Sequence, residues 1–159
     1  MPVQRSAKGQ REHIKRILDE VESKEVQVGF FESSAYEDGT SVAYVAAIQE
    51  FGYPEGGIPA RPFLRPTIAQ QQAAWRETLQ RGFKAAVNDQ ITVQFMLEQF
   101  GMAAAGQVKV TISKITEPPL ASATLQARQN RKKTPGVSAK PLVDTGLLIS
   151  SVQSAVVER

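Results

Sequence analysis

The chain contains no cysteine, one histidine and one tryptophan. Without thiols there is neither a disulfide framework nor a thiolate metal site. His13 alone excludes a multi-histidine metal centre. No apolar run approaches the roughly 20 residues that a membrane-spanning helix needs. The opening MPVQRSAKGQ has no apolar h-region, so it does not read as a secretory signal, and the expectation is a soluble, cytoplasmic product. The patterns that catalysis leaves in a sequence are missing too: no GxSxG elbow, no phosphate-binding glycine loop, no HExxH and no Cys–His pairing. Glu12, Asp19, Glu20 and Glu22 read as solvated or salt-bridged residues on a helix surface, and His13 as a surface histidine on the same charged helix. Asp144 and Thr145 could form a nucleophile pair, but a helix cap explains them more simply. The expectation is a protein that is not an enzyme and carries no cofactor.

What is present is enough for one domain with a real core: 159 residues of ordinary apolar and charged content. The net charge is +3. Its cations gather in two places, Arg5 to Arg16 and Arg128, Arg131, Lys132, Lys133 and Lys140. Each group reads either as solvated surface or as a contact for nucleic acid or a partner. The stretch from 128 to 140 is the most loop-like part of the chain and is expected to be ordered only by a partner, if at all. The first seven residues read as loose.

Between these lie clear periodicities. Ile14, Ile17, Leu18 and Val21 mark one face of a helix over Lys8 to Ser23. Val26, Val28 and Phe30 alternate as a strand with one buried face. Ser41 caps a short helix ended by Gly52, on which Tyr44, Ile48 and Phe51 share a face with Val42, Val45 and Ala46 beside them. From Thr67 a long helix carries Ile68, Gln72, Trp75, Leu79 and Phe83 in one stripe, with Trp75 and Phe83 expected as core anchors. A second long helix runs from Asp89 to about Ile115. Its segment Val108 to Ile112 also alternates, so a strand is the other reading there, but the helical period carries through from Val93. The small residues from Gly101 to Gly106 point to close packing against another backbone. Pro118-Pro119 ends this element. Ser122 to Gln129 follows as a short helix, one or two helical turns reach Ser150, and a final β-branched strand is expected to pair with the one at Val26 to Phe31. The expected fold is α+β: a small antiparallel or mixed sheet packed on two long helices, in a single domain.

One segment resists this scheme. GIPARPFLRPT (Gly57 to Thr67) is stiff, basic and punctuated by prolines, and it holds the bulky pair Phe63-Leu64. Either this subunit's core or a neighbour's surface must take Phe63. Arg61 and Arg65 can be read as a phosphate grip, but the prolines beside them suggest a rigid docking arm.

Four stretches together resemble a known family, the tailed-bacteriophage virion-morphogenesis proteins of the neck, also called tail-completion or head–tail connector proteins. They are Val28-Gly29-Phe30 with YVAAIQEFG (Tyr44 to Gly52); IPARPFLRP (Ile58 to Pro66); LASATL (Leu120 to Leu125); and PLVDTGLL (Pro141 to Leu148). The resemblance spans roughly residues 25 to 150. It implies a structural virion protein that forms a homo-oligomeric ring, six-fold or twelve-fold, at the neck or the top of the tail. Such a ring would be assembled in the cytoplasm of a bacterial host, with other neck, connector or tail proteins as partners, packaged DNA as a possible contact and no membrane. On that reading Arg61, Phe63, Leu64 and Arg65 form the subunit interface, and Arg128, Arg131, Lys132, Lys133 and Lys140 face DNA or a neighbouring ring. The alternative is a basic nucleic-acid-binding module using the 128–140 loop.

Overall fold

In the computed structural model, residues 6–31, 34–131 and 138–159 are described. Lys132 and Lys133 lie outside them, with part of the basic stretch. Helix α1 (Ala7–Glu22) opens at Ser6, whose hydroxyl accepts the Gly9 N–H at 3.2 Å. Strand β1 (Lys24–Phe30) follows, then α2 (Val42–Phe51), a 3-10 turn at Pro54–Gly56 and the long helix α3 (Leu64–Val87). A second long helix α4 (Val93–Lys114), two short helices α5 (Ser122–Gln129) and α6 (Leu147–Ser150), and strand β2 (Val152–Glu158) complete the chain. β1 and β2 pair as a two-stranded antiparallel sheet, the pairing that the two unpartnered β-rich segments indicate. Val108 to Ile112 is helical, so the continuous 3.6-residue period outweighs the local alternation there. The fold class is the α+β single domain that the sequence indicates.

Within it, contacts group the chain into two compact units, each built from separated stretches. The first comprises Met1–Val28, Gln71–Ala104 and Ser154–Arg159. Its core is Ile17, Ala86, Val93, Met96 and Leu97, with Val26 and Val156 of the sheet packed against it. A two-stranded sheet is marginal alone in water, and this helical layer covers its apolar face. Gly101 is where α4 comes nearest the strands. A Cβ there would stand 3.0 Å from both Val26 Cγ1 and Ser154 Cβ.

Two expectations are corrected in this unit. His13 is not a surface residue. It is buried, its Nε2 donates to the carbonyl of Val87 at 3.0 Å, and its Nδ1 accepts from Arg16 at 3.0 Å. Val87 is the last residue of α3, where carbonyls lack an intrahelical donor, so His13 serves as a C-terminal cap supplied by another helix. Trp75 and Phe83 are both only partly buried, Trp75 with its ring edge-on to Phe100 at 5.9 Å and Phe83 packed against the edge of the core.

The second unit comprises Gly29–Gln70 and Ala105–Gln153. Val42, Ala46, Phe63, Val108, Ile112, Leu148 and Val152 are buried in it. Helix α2 packs on α6. Ser41 caps α2 by accepting the Tyr44 N–H, and Gly52 ends it at φ 79°. Only glycine suits that position, because a Cβ would also meet the Ala60 nitrogen at 2.9 Å.

Candidate functional site

The proline-rich segment is the entry to α3, and one carboxylate organises it. Glu50, the penultimate residue of α2, is 2% exposed. Its Oε2 accepts the N–H of Phe63 at 2.6 Å and of Leu64 at 2.9 Å; its Oε1 accepts the N–H of Arg65 at 3.1 Å and Arg65 Nε at 2.9 Å. The Arg65 guanidinium also donates to the Glu50 carbonyl at 2.6 Å. The donors at the start of α3 are thereby accounted for. Leu64 and Arg65 bond Glu50, Pro66 has no N–H, and Thr67 reaches the Phe63 carbonyl. Pro66 fits because the first turn needs no intrahelical donor. Burial would raise the Glu50 pKa, but the converging N–H groups and the Arg65 guanidinium outweigh it and hold the carboxyl below its ordinary range.

Phe63 is fully buried and meets Phe30 edge-on at 5.8 Å, within the second unit. Arg61 is 5% exposed, and its guanidinium donates to the carbonyls of Pro118 at 2.7 Å and Pro119 at 2.9 Å and to Gln49 Oε1 at 3.3 Å. Burial, with the Arg128 cation nearby, lowers its pKa from the ordinary arginine value. The docking-arm expectation is therefore corrected for both residues. Their side chains are held by their own chain, and the prolines stiffen a helix entry rather than a free arm. Leu64 is half-buried, while the Arg65 side chain remains 59% exposed.

Beside this clamp lies a face of α2 that is left open. Helix α2 buries Val42, Ala46 and Glu50, spaced i, i+4, i+8. Tyr44, Ile48 and Phe51 therefore point elsewhere: Tyr44 is 62% and Phe51 69% exposed. Arg65 lies over the Phe51 ring, 5.0 Å from its centroid, and Ile68, one turn further along α3, is also exposed. Because Glu50 and Phe51 are adjacent, the buried clamp fixes the position of the exposed ring and its cation.

The basic segment is less available than its charge suggests. Arg131 pairs with Asp144 at 2.7 Å, and Arg128 Nε lies 3.5 Å from the same carboxylate. Arg128 also donates to the carbonyls of Ser138 at 2.7 Å and Lys140 at 3.0 Å. The expectation that Arg128 and Arg131 face DNA or a neighbouring ring is corrected to this extent: both are bound to their own subunit. Asp144 thus serves chiefly as their counter-ion, while Thr145 Oγ1 accepts the Leu147 N–H at the start of α6. Lys140 is exposed.

Sequence reasoning missed Glu50 because a lone glutamate on a helix is normally solvated. The available signal was its place on the Val42, Ala46 stripe. No family model matches this chain, and no curated protein or solved structure matches it either.

Proposed function

We propose that this chain is a structural virion protein of a tailed bacteriophage, a subunit that forms a ring at the neck or tail top and takes part in joining head to tail. The observation that supports it beyond the sequence resemblance is the patch of exposed Tyr44, Phe51 and Ile68, with the partly buried Ile48 on the same face of α2 and Arg65 set on the Phe51 ring. Aromatic, aliphatic and arginine side chains in one patch are the composition of a protein interface. The Glu50 clamp keeps that patch rigid, so little conformational freedom is lost on docking. Leu64 and Arg65 belong to this interface; Arg61 and Phe63 stand behind it as its scaffold. A patch on one subunit that meets a different patch on the next generates a closed ring when the rotation closes. Among the described residues, contact with packaged DNA would fall to Lys140, since Arg128 and Arg131 share the Asp144 carboxylate. The site requires no catalytic group.

The test is negative-stain microscopy and analytical ultracentrifugation of the purified full chain, beside the double variant Tyr44→Ser, Phe51→Ser. Rings of uniform diameter from the parent chain, lost in a variant whose thermal midpoint is preserved, are the expected result. A parent chain that stays monomeric at high concentration, or a variant that assembles as well as the parent, overturns the reading.

A further inference from the structure

The first unit contains an open apolar cavity of about 580 Å³, a size typical of a binding site. Two parallel rows on α3 border it. Trp75, Leu79 and Phe83 form an apolar row at i, i+4, i+8, and Gln72, Arg76 and Gln80 form a polar row at the same spacing. Each row runs about 12 Å, a little over two helical turns. Met96 and Phe100 of α4 supply the opposite wall, and Lys24 stands at the border. Among the described residues, no carboxylate lines the cavity. Lys24 is already paired with Glu158 at 2.6 Å, whereas Arg76 is exposed and has no ion pair among the described residues.

We propose that this cavity is a docking groove for an acidic amphipathic helix of a partner protein. A helix laid along α3 places its apolar residues over Trp75, Leu79 and Phe83, in the manner of helix-in-groove recognition. Its flanking side chains then fall against Gln72, Arg76 and Gln80, a row whose one charge is positive, and carboxylates are the complement. Met96 lets the wall adapt to the incoming side chains. Trp75, half-buried and edge-on to Phe100, is the anchor of the site. This groove shares no residue with the aromatic stripe around Phe51, and the inference does not rest on ring formation.

Trp75 is the one tryptophan of the chain, so its emission reports occupancy directly. The experiment titrates the full chain with a synthetic helical peptide carrying leucines at i, i+4 and i+7 flanked by glutamates. The same peptide with lysine for glutamate, and sodium dodecanoate, are the comparison probes. Saturable blue-shifted emission with the glutamate peptide is expected, with the lysine peptide about tenfold or more weaker. Added salt should weaken the glutamate peptide. Arg76→Glu should reverse the order of the two peptides with the thermal midpoint unchanged. If that variant does not fold, the salt dependence of the parent chain decides. Equal binding of the two peptides, no change in emission, or binding of dodecanoate without the peptide overturns the proposal. So does an emission shift produced by protein concentration alone, which would make a second copy the occupant.

Discussion

The two units bury what they bury by different chemistry. In the first, apolar side chains from α1, α3, α4 and the sheet pack together, and among the described residues the buried polar side chain is His13 on a helix terminus. In the second, a phenylalanine, a glutamate and an arginine are all buried within one short stretch of structure, each polar group met by several partners. Apolar packing tolerates an open side, and the first unit has one in its groove. A buried carboxylate does not, because every unmatched lone pair or donor around it is costly. The second unit is therefore closed around Glu50, and the face that α2 turns away from that clamp is left exposed.

The largest effect should come from the closed unit. Phe63→Ala removes a fully buried ring and should cost about 3–5 kcal/mol in urea unfolding of the full chain. A loss below about 1 kcal/mol would return Phe63 to the role of a docking residue and erase the contrast between the units.

Next is Glu50→Gln, which keeps the shape and removes the charge. The N–H groups of Phe63, Leu64 and Arg65 lose their ionised acceptor, at about 2–3 kcal/mol. The pH dependence gives an independent reading. The Glu50 carboxyl titrates below its ordinary value of 4.5 in the folded chain, so the unfolded chain takes up the proton first as pH falls. Its contribution to stability is fully present above 4.5 and is lost as pH drops through the folded value. The difference in stability between parent and Glu50→Gln should therefore be largest near neutrality and shrink on acidification. A difference independent of pH would mean that the carboxyl is not ionised in its clamp.

Trp75→Ala should cost less, about 1–2 kcal/mol, because the ring is half-buried beside an open cavity and the atoms already facing solvent leave no void. A loss as large as that for Phe63 would show that the groove is closed in solution.

The difference between the units also explains what could be read from the chain. Periodicity located α1, β1, α2 and both long helices to within a few residues, because those elements follow from an apolar face that must be covered, whereas β2 was legible from its β-branched content. The pairing of β1 with β2 followed from hydrogen-bond accounting. Periodicity does not say which of two adjacent faces wins. On α2 both Val42 with Ala46 and Tyr44 with Ile48 and Phe51 satisfy a helical stripe, and Glu50 decides by anchoring its own face inward. Arg61 and Arg65 show the same limit at the site. Both are arginines beside prolines, four residues apart, yet one is sealed beneath carbonyls of Pro118 and Pro119 and the other is open to solvent. Those carbonyls are distant in sequence, so no local pattern carries the distinction.

The smallest effect on folding should come from the open face, and that makes it the most informative for function. Phe51→Ser removes a ring that is 69% exposed and whose contact with Arg65 is a surface cation–π pair. Such a pair is worth about 0.5–1 kcal/mol, so the unfolding free energy should fall by no more than that. Arg65 keeps its bonds to the Glu50 side chain and carbonyl in this variant, which leaves the clamp and the start of α3 intact. If the face is a subunit interface, sedimentation should nevertheless show a large loss of assembly, because a truncated aromatic anchor commonly costs 2 kcal/mol or more, roughly a thirtyfold change in affinity. Small folding loss with large assembly loss separates Phe51 from Phe63, twelve residues away, where the order must be reversed. A Phe51→Ser chain that unfolds readily would mean that this ring belongs to the second unit's core, and the contrast between a closed clamp and an open face would fail.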